Sequence, residues 1–315
     1  MIDPGAIARF HADLDVLAQA GEVALALSGG PDSLALLLLA SAARPGRVCA
    51  ATVDHRLRPE AAAEAAMVAG VCRRLGVPHT TLPVHVADDR RGIQAAARDA
   101  RYAALAAWAA ARGASALATA HHLDDQAETM LMRLARGAGI AGLSGIRRAR
   151  TLEGALGITL VRPLLGWRKV ELEAIAAAAG LTPADDPSNR DPRFDRTRAR
   201  ALLKGGWPAP ERLAAVAQRL GEAEEALAWS AAALATERLI LAGEAASIDV
   251  AGLPREHRRR LLCAGLARLA PTATWRGDEV DRLLHALDAG RVATLAGLRC
   301  DPGPPWRLAR APPHR

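Results

Sequence analysis

The sequence predicts an α/β protein with a doubly wound parallel sheet, followed by a smaller and mainly helical C-terminal domain. Two observations lead to this prediction. Over roughly the first 200 residues, short apolar segments alternate with longer helical patterns, which is typical of parallel strands covered by helices on both faces. After Lys204 the alternation stops, and a segment rich in Gly and Pro leads into a long helical stretch.

Four apolar segments are predicted to be strands of the sheet. In chain order they are Val23–Leu27, Val48–Val53, Thr80–Val86 and Ser115–Ala120. The segments between and after them have the length and periodicity of helices, namely Leu34–Ala43, Glu60–Leu75, Gly92–Ala111 and about 124–136. Ligands bind beyond the carboxyl ends of such strands, so polar clusters that follow a strand are candidates for a functional site.

The change of pattern divides the chain into a catalytic domain at 1–204, a linker at 205–211 and a helical domain at 212–315. The predicted elements of the last domain are, in order, a long helix at 211–243, a strand at Ser247–Leu253, helices at Pro254–Leu269 and Asp278–Ala289, and a strand at Val292–Cys300.

Composition favours a soluble, cytoplasmic protein with a polyanionic partner and no contact with a membrane. The formal charge is +7 and the pI about 10.1, and basic proteins attract phosphates. The longest apolar run, Leu34–Ala43, is too short to span a bilayer, and the N-terminus does not resemble a signal peptide. The cysteines lie far apart, which favours reduced thiols over a zinc ribbon or a disulfide scaffold: Cys49, Cys72, Cys263 and Cys300.

The sharpest motif is a glycine-containing loop between the first strand and the first helix. It consists of Ser28, Gly29, Gly30, Pro31, Asp32 and Ser33. Glycines let backbone N–H groups approach a phosphate, and a helix N-terminus adds partial positive charge. Asp32 is placed to hold Mg²⁺ against phosphate oxygens, and no lysine stands where a Walker A loop has one. The alternative is a turn that requires glycine, with Asp32 and Ser33 as helix caps.

Two further clusters follow predicted strands. Asp54 and His55 end the second strand and could contact ribose, adenine or a second substrate; alternatively, Asp54 caps a turn and His55 is exposed. Arg98 and Arg101 are three residues apart and share a helix face, where they could pair with phosphate or carboxylate. The alternative is a solvated basic helix face.

The fourth cluster lies where a strand passes into a helix. Asp125 and Glu128 share a face near the helix N-terminus and could together hold an ammonium group. A transition-metal site formed by His121, His122 and Asp125 is disfavoured, because adjacent residues of a strand point to opposite faces.

These motifs resemble a known family. The loop at 28–33 is similar to the signature of PP-loop ATP pyrophosphatases, which implies an adenine nucleotide alpha hydrolase-like fold. The order of the later blocks resembles the tRNA(Ile)-lysidine synthetases as far as Arg200. Those blocks are VDHRLRPE, GIQAAARDARYAAL, ATAHHLDDQAETMLMRLARGAGIAGLSGI, Arg162-Pro163-Leu164-Leu165 and DDPSNRDPRFDRTRAR.

The resemblance implies a reaction and roles for residues. ATP, with Mg²⁺, adenylates the C2 oxygen of the wobble cytidine in a minor isoleucine tRNA with a CAU anticodon. Free L-lysine then displaces AMP. By resemblance Asp125 and Glu128 recognise the amine, Arg101 positions the substrate, and Arg196 is the catalytic arginine.

Basic and aromatic residues offer further RNA contacts. Residues 185–204 could grip the anticodon strand or form a solvated helix, and Phe194, Trp167 and Trp207 could stack on a base or simply pack. Four arginines of the C-terminal domain could contact the tRNA body or lie on the surface without a partner: Arg255, Arg258, Arg259 and Arg260.

Two other functions remain open at this level. They are another PP-loop tRNA enzyme, such as a cytidine thiolase, and a catalytically inactive tRNA-binding protein. The absence of paired cysteines speaks against the first, and the acidic residues of the motifs speak against the second. Whether the chain forms a homodimer is also open.

Overall fold

The computed structural model describes residues 2–18, 21–54, 60–84, 93–152, 157–182 and 195–311. The chain divides into two compact units, Met1–Gly221 and Glu222–Arg315. This boundary falls inside a helix, a short way beyond the predicted linker at 205–211. The linker stays a prediction of where the functional domains meet.

The first unit contains the strands and helices that alternate along the chain. Its strands are β1 (Val23–Leu27), β2 (Val48–Asp54), β3 (His79–Pro83), β4 (Ala116–Ala118), β5 (Ala149–Thr151) and β6 (Thr159–Val161). Its helices are α1 (Pro4–Asp15), α2 (Pro31–Ala43), α3 (Glu60–Arg74), α4 (Ile93–Ala111), α5 (Leu123–Ala135), α6 (Ile140–Leu143), α7 (Lys169–Ala178), α8 (Asp195–Lys204) and the first part of α9 (Pro210–Arg238).

The strands form one sheet in the order β3-β2-β1-β4-β6-β5. All neighbours are parallel except the edge strand β5, which pairs antiparallel with β6. The predicted parallel sheet is therefore confirmed, with two additional short strands at one edge. Because β2 and β4 both flank β1, the strand order reverses there, and such a reversal opens a crevice at the carboxyl edge of the sheet.

Apolar side chains bury both faces of this sheet. Val23 and Leu25 of β1 belong to a core with α1, α2, α3 and α7, whereas Ala24 faces a second core with α4. Helix α2 is buried along most of its length because it packs against the sheet, α1 and α7. The helices thus cover both faces, as a doubly wound fold requires.

The second unit combines helices with an antiparallel sheet. After α9 come β7 (Leu239–Ala242), β8 (Ala245–Ile248), α10 (Arg255–Leu269), α11 (Gly277–Asp288), β9 (Ala293–Leu295), β10 (Leu298–Asp301) and β11 (Trp306–Arg310). The sheet order is β7-β8-β11-β10-β9. The two helices are where the sequence predicts them, and they bury one face of the sheet.

The sheet of the second unit is larger than the sequence suggests. The single strand predicted at Val292–Cys300 is a hairpin, because Ala296 and Gly297 have φ values of +55° and +74° and turn the chain between β9 and β10. Two positive φ values match the twist of a tight hairpin, and an Ala-Gly pair is a weaker signal for this than Asn-Gly.

The cysteines are free thiols, and Cys49, Cys72 and Cys300 are buried. Burial raises the pKa of Cys49 and Cys72 to about 11 and that of Cys300 to about 12. Across the described residues, the helices are too short or too polar to cross a membrane.

Candidate active site

Two loops meet where the strand order reverses. Ser28–Ser33 follows β1, and Thr119–His122 follows β4. The two strands are parallel neighbours, with Val23 in register with Ala116. Motifs that lie far apart in the sequence therefore lie at the same edge of the sheet, at its switch point.

The loop after β1 leaves the start of α2 open. Gly29 has φ +81°, a conformation that favours glycine, and Gly30 is the N-cap but has no side chain to accept the first N–H groups. The buried Ser33 hydroxyl accepts the Ser28 N–H at 3.3 Å and donates to the Gly30 carbonyl at 2.9 Å, which fastens the turn. A phosphate could accept the open N–H groups of α2.

Asp32 is the carboxylate of this loop. Its Oδ2 lies 3.6 Å from His122 Nε2, whereas its buried Oδ1 has no hydrogen-bond partner among the described residues. An unpaired buried carboxylate oxygen is costly and is suited to a hard cation. In the described part of the chain no group of three or more His, Cys, Asp or Glu is arranged to hold a metal ion. The arrangement fits Mg²⁺ shared between Asp32, phosphate oxygens and water.

His122 connects the two loops. It is buried and caps α5. Its ring Nδ1 accepts the backbone N–H of Asp125 at 3.3 Å, and the backbone N–H of His122 donates to Asp125 Oδ2 at 3.1 Å. Its Nε2 lies 3.6 Å from Asp125 Oδ2 as well as from Asp32. Although burial alone would lower the pKa of His122, the hydrogen bond and charge of Asp32 and the charge of Asp125 raise it above the ordinary value.

Asp125 and Glu128 share a face of α5, and two arginines of α8 contact them. Arg196 donates from Nε to Glu128 Oε2 at 2.8 Å and from Nη2 to Asp125 Oδ1 at 3.2 Å, and Arg200 donates from Nε to Glu128 Oε1 at 2.7 Å. Glu128 is only 4% exposed. Burial raises the pKa of Asp125, but the charges of His122 and Arg196 outweigh this and keep it below the ordinary value.

His121 faces a different environment from His122. Its Nδ1 lies 2.9 Å from Thr119 Oγ1. Desolvation lowers the pKa of His121 to about 3, and nearby cations, Arg162 first among them, add to the effect against the opposing charge of Asp125. The ring is therefore neutral near pH 7.

Asp124 is a residue that the sequence analysis did not single out. It accepts hydrogen bonds from Arg168 Nε at 3.2 Å and from the Lys169 N–H at 2.7 Å, so it joins the start of α5 to the start of α7. Although burial raises the pKa of Asp124, these bonds lower it below the ordinary value. The sequence does show an acidic residue in the first turn of α5, which is a common position for a carboxylate. It could not show the partners of Asp124, because they lie about 45 residues later in the chain.

Other predicted site residues are less closely connected to this cluster. Asp54 ends β2, next to β1 in the sheet, while His55 lies outside the described residues. The guanidinium of Arg101 lies 5.3 Å from the centre of the Tyr102 ring, and that of Arg98 lies 5.1 Å from it. The structure therefore brings Asp32, Asp125, Glu128 and Arg196 together but gives no contact between Arg101 and that cluster.

The predicted stacking residues differ in exposure. Trp167 is buried and donates from Nε1 to Asp13, so it is a packing residue, whereas Trp207 is 83% exposed. Phe194 lies outside the described residues, as does most of the stretch that precedes α8.

The four arginines predicted to contact RNA from the second unit have partners within that unit. Arg255 pairs with Asp281, Arg258 with Asp288, Arg259 with Glu256, and Arg260 with Glu224. Residues 222–315 contain 13 basic side chains and 12 acidic ones, so almost all of the net charge of +7 lies in the first unit. Arg255 and Arg258 connect α10 to α11, Arg260 connects it to α9, and Arg259 pairs within α10 itself.

Residues 6–205 match the family of PP-loop domains. The tRNA(Ile)-lysidine synthase of Novosphingobium aromaticivorans is 48% identical to this chain over 313 residues, which are 99% of this chain and 95% of that protein. The tRNA(Ile)-lysidine synthase of Zymomonas mobilis is 43% identical over 298 residues, which are 94% of this chain and 90% of that protein.

Among solved structures, the U34-tRNA thiolase NcsA from Methanococcus maripaludis with its 4Fe-4S cluster has a TM-score of 0.56. It is 19% identical and the match covers 69% of this chain and 78% of that one. At this identity the likeness is one of fold alone. The nearly full-length relatives therefore decide between a ligase and a thiolase.

Proposed function

This chain belongs to the tRNA(Ile)-lysidine synthase family of PP-loop, ATP-dependent ligases that modify tRNA, and on that premise we propose a substrate set and a role for each residue of its cleft. The substrates are ATP, free L-lysine and a minor isoleucine tRNA with a CAU anticodon. The C2 oxygen of the wobble cytidine attacks the α-phosphorus of ATP and releases pyrophosphate. The lysine ε-amine then attacks C2, loses a proton, and displaces AMP.

The loop at 28–33 is proposed to hold the phosphates of ATP. The open N-terminus of α2 supports this, because its N–H groups can bind anionic oxygens without a competing side-chain cap. Asp32 would hold Mg²⁺ through its unpartnered oxygen. When bound, that ion would offset the charge that develops on the leaving pyrophosphate. Asp54 and His55 are proposed to contact the nucleoside part of ATP.

Asp125 and Glu128 are proposed to receive the lysine ammonium. Arg196 now lies against both carboxylates, so the ammonium would take the place of that guanidinium, which becomes free to contact the adenylated intermediate. Arg101 is proposed to position the substrate from α4. The ammonium must lose a proton before its lone pair attacks, and the carboxylates that hold it can accept one.

One observation carries this proposal. His122 Nε2 lies 3.6 Å from Asp32 and 3.6 Å from Asp125, so a single buried ring bridges the carboxylate of the phosphate loop and a carboxylate of the amine site. A nucleotide and an amine held by these groups would be close enough for both to react with one nucleobase, the wobble cytidine, placed between them.

Residues 212–315 are proposed to help distinguish this tRNA from methionine tRNAs with the same anticodon. The paired arginines of α10 do not support that role. Four exposed arginines of the unit have no ion pair with any described residue and are better candidates: Arg268, Arg276, Arg291 and Arg307.

The test supplies the protein with ATP, Mg²⁺, radiolabelled lysine and transcripts of the three CAU-anticodon tRNAs. We expect label only in the minor isoleucine transcript, with release of AMP and pyrophosphate. Label that enters RNA without ATP, or enters all three transcripts equally, would contradict the proposal.

A further inference from the structure

The strongest feature outside the cleft is an exposed patch at the end of α8. Trp207 is 83% exposed and Leu202 is 64% exposed, although large apolar side chains are normally covered. Arg198 and Lys204 of the same segment are also exposed. We call these four residues the Trp207 surface.

Helix geometry separates this surface from the active site. Residues 196, 199 and 200 share the face of α8 that turns towards α5, where Arg196 and Arg200 contact Glu128. Residues 198 and 202 share the other face, whereas Lys204, four residues after Arg200, continues the first face at the end of the helix. One helix therefore has a cationic side directed at the cleft and an apolar, cationic side directed at solvent.

The charges of the two sides differ in their partners. Arg196 and Arg200 are neutralised by carboxylates of α5, whereas Arg198 and Lys204 make no ion pair with any residue that the structure describes. Two cations that have no ion pair with a described residue, in the same short segment as an exposed indole, are complementary to RNA. The cations offer charge to phosphates, and the indole offers a flat surface to a base.

We propose that the Trp207 surface binds the tRNA next to the modified nucleotide, with Trp207 stacked on an unpaired base and Arg198 and Lys204 against its phosphates. This inference rests on the proposed function, because it takes tRNA as the partner. The base must be unpaired, because bases inside a stem are already stacked. From Arg200, at the cleft, to Lys204 the helix rises about 6 Å, which is close to the spacing of adjacent nucleotides.

A second exposed tryptophan provides a matched control. Trp229 is 77% exposed and lies on α9, but the residue one turn before it is the acidic Glu225. An acidic neighbour repels phosphate, so Trp229 should not stack on RNA. The two indoles are thus equally accessible and differ in their electrostatic surroundings.

The experiment measures equilibrium binding of the isoleucine tRNA transcript to the full chain. Trp207→Ala should weaken binding about tenfold, and Trp207→Phe by less than about threefold, because a phenyl ring still stacks. Trp229→Ala should leave binding unchanged. Heparin, which has charge but no bases, should bind wild type and Trp207→Ala equally. All variants should keep the wild-type unfolding midpoint, since both indoles are exposed.

The phosphate contacts are tested separately. The double variant R198A/K204A should reduce the slope of log affinity against log salt concentration by about 1.5. Wild-type affinity in Trp207→Ala, an equal loss in Trp229→Ala, or an equal loss with Ala and Phe at 207 would overturn the inference. If the wild-type chain itself does not bind the transcript, the proposed function fails first, and the inference fails with it.

Discussion

Replacing Glu128 with glutamine tests the amine site most directly. The carboxylate accepts hydrogen bonds from Arg196 at 2.8 Å and Arg200 at 2.7 Å while being 4% exposed. A charged hydrogen bond contributes about 1.5–3 kcal/mol, but the two arginine side chains are 41% and 26% exposed, so solvent screens part of this. We expect Glu128→Gln to lower the free energy of unfolding by about 2–3 kcal/mol.

The same variant should bind lysine poorly. An ammonium that loses one charged partner forfeits about 1.5–3 kcal/mol, so the KM for lysine should rise by about 10- to 100-fold. The KM for ATP should change by less than about twofold, because the phosphates are proposed to contact the loop at 28–33 and not Glu128. The assay is lysine incorporation into the tRNA transcript at saturating ATP, with thermal unfolding measured in parallel.

A control variant distinguishes an effect specific to the Glu128 site from the general effect of removing one negative charge. Glu173 pairs with Lys169 at 3.6 Å on an exposed helix face, so Glu173→Gln should cost less than about 0.5 kcal/mol and leave lysine kinetics unchanged. If Glu128→Gln lowers stability but keeps the wild-type KM for lysine, Glu128 only anchors the arginines and the proposed amine site is wrong.

Three further outcomes are expected. Asp32→Asn should reduce pyrophosphate release by at least about 100-fold, because the carboxylate is proposed to act on phosphate and not on RNA. Binding of tRNA, measured on filters, should stay within about twofold, and full turnover would refute the proposed role. The pKa of Asp124 is below its ordinary value, so the ionised side chain stabilises the fold at pH values above the ordinary pKa. This contribution is lost as pH falls through the lower pKa of the folded state. Asp124→Asn should therefore flatten the fall in the urea midpoint on the acid side, and an unchanged profile would contradict this. Gly145 has φ +71°, and a Cβ added there would overlap the Gln126 carboxamide. Gly145→Ala should therefore lower the free energy of unfolding by about 2–4 kcal/mol, against about 1 kcal/mol for Gly137→Ala, where no atom lies near the added Cβ. Equal unfolding midpoints for the two variants would refute the reasoning.

Much of the first unit could be predicted because its signals are local. A strand buried on both faces is apolar throughout, as in Val23–Leu27, and a turn that needs a positive φ contains glycine, as at Gly29. The second unit was harder to predict. Its hairpin turns at Ala296-Gly297, a pair that also fits within a continuous apolar strand.

The candidate site was predicted in part for a similar reason. Asp125 and Glu128 share a helix face because of their spacing, and any helix there would bring them together. Their partners Arg196 and Arg200 come from about 70 residues later. The family resemblance pointed to Arg196, but the pattern of six basic residues between 190 and 204 did not itself indicate which side chains turn inwards.

What the sequence alone determined depends on consecutive residues: the glycine-containing loop at 28–33, the carboxylates that share a face of α5, and membership of a PP-loop family. What only the tertiary structure decided is which groups neutralise one another and which stay exposed. It separated the buried Trp167 from the exposed Trp207, and it separated Arg196, paired with Glu128, from Arg198, which has no ion pair with a described residue. The physical reason is range: a turn or a helix face is set by neighbours in the chain, whereas burial and ion pairing depend on how distant helices pack.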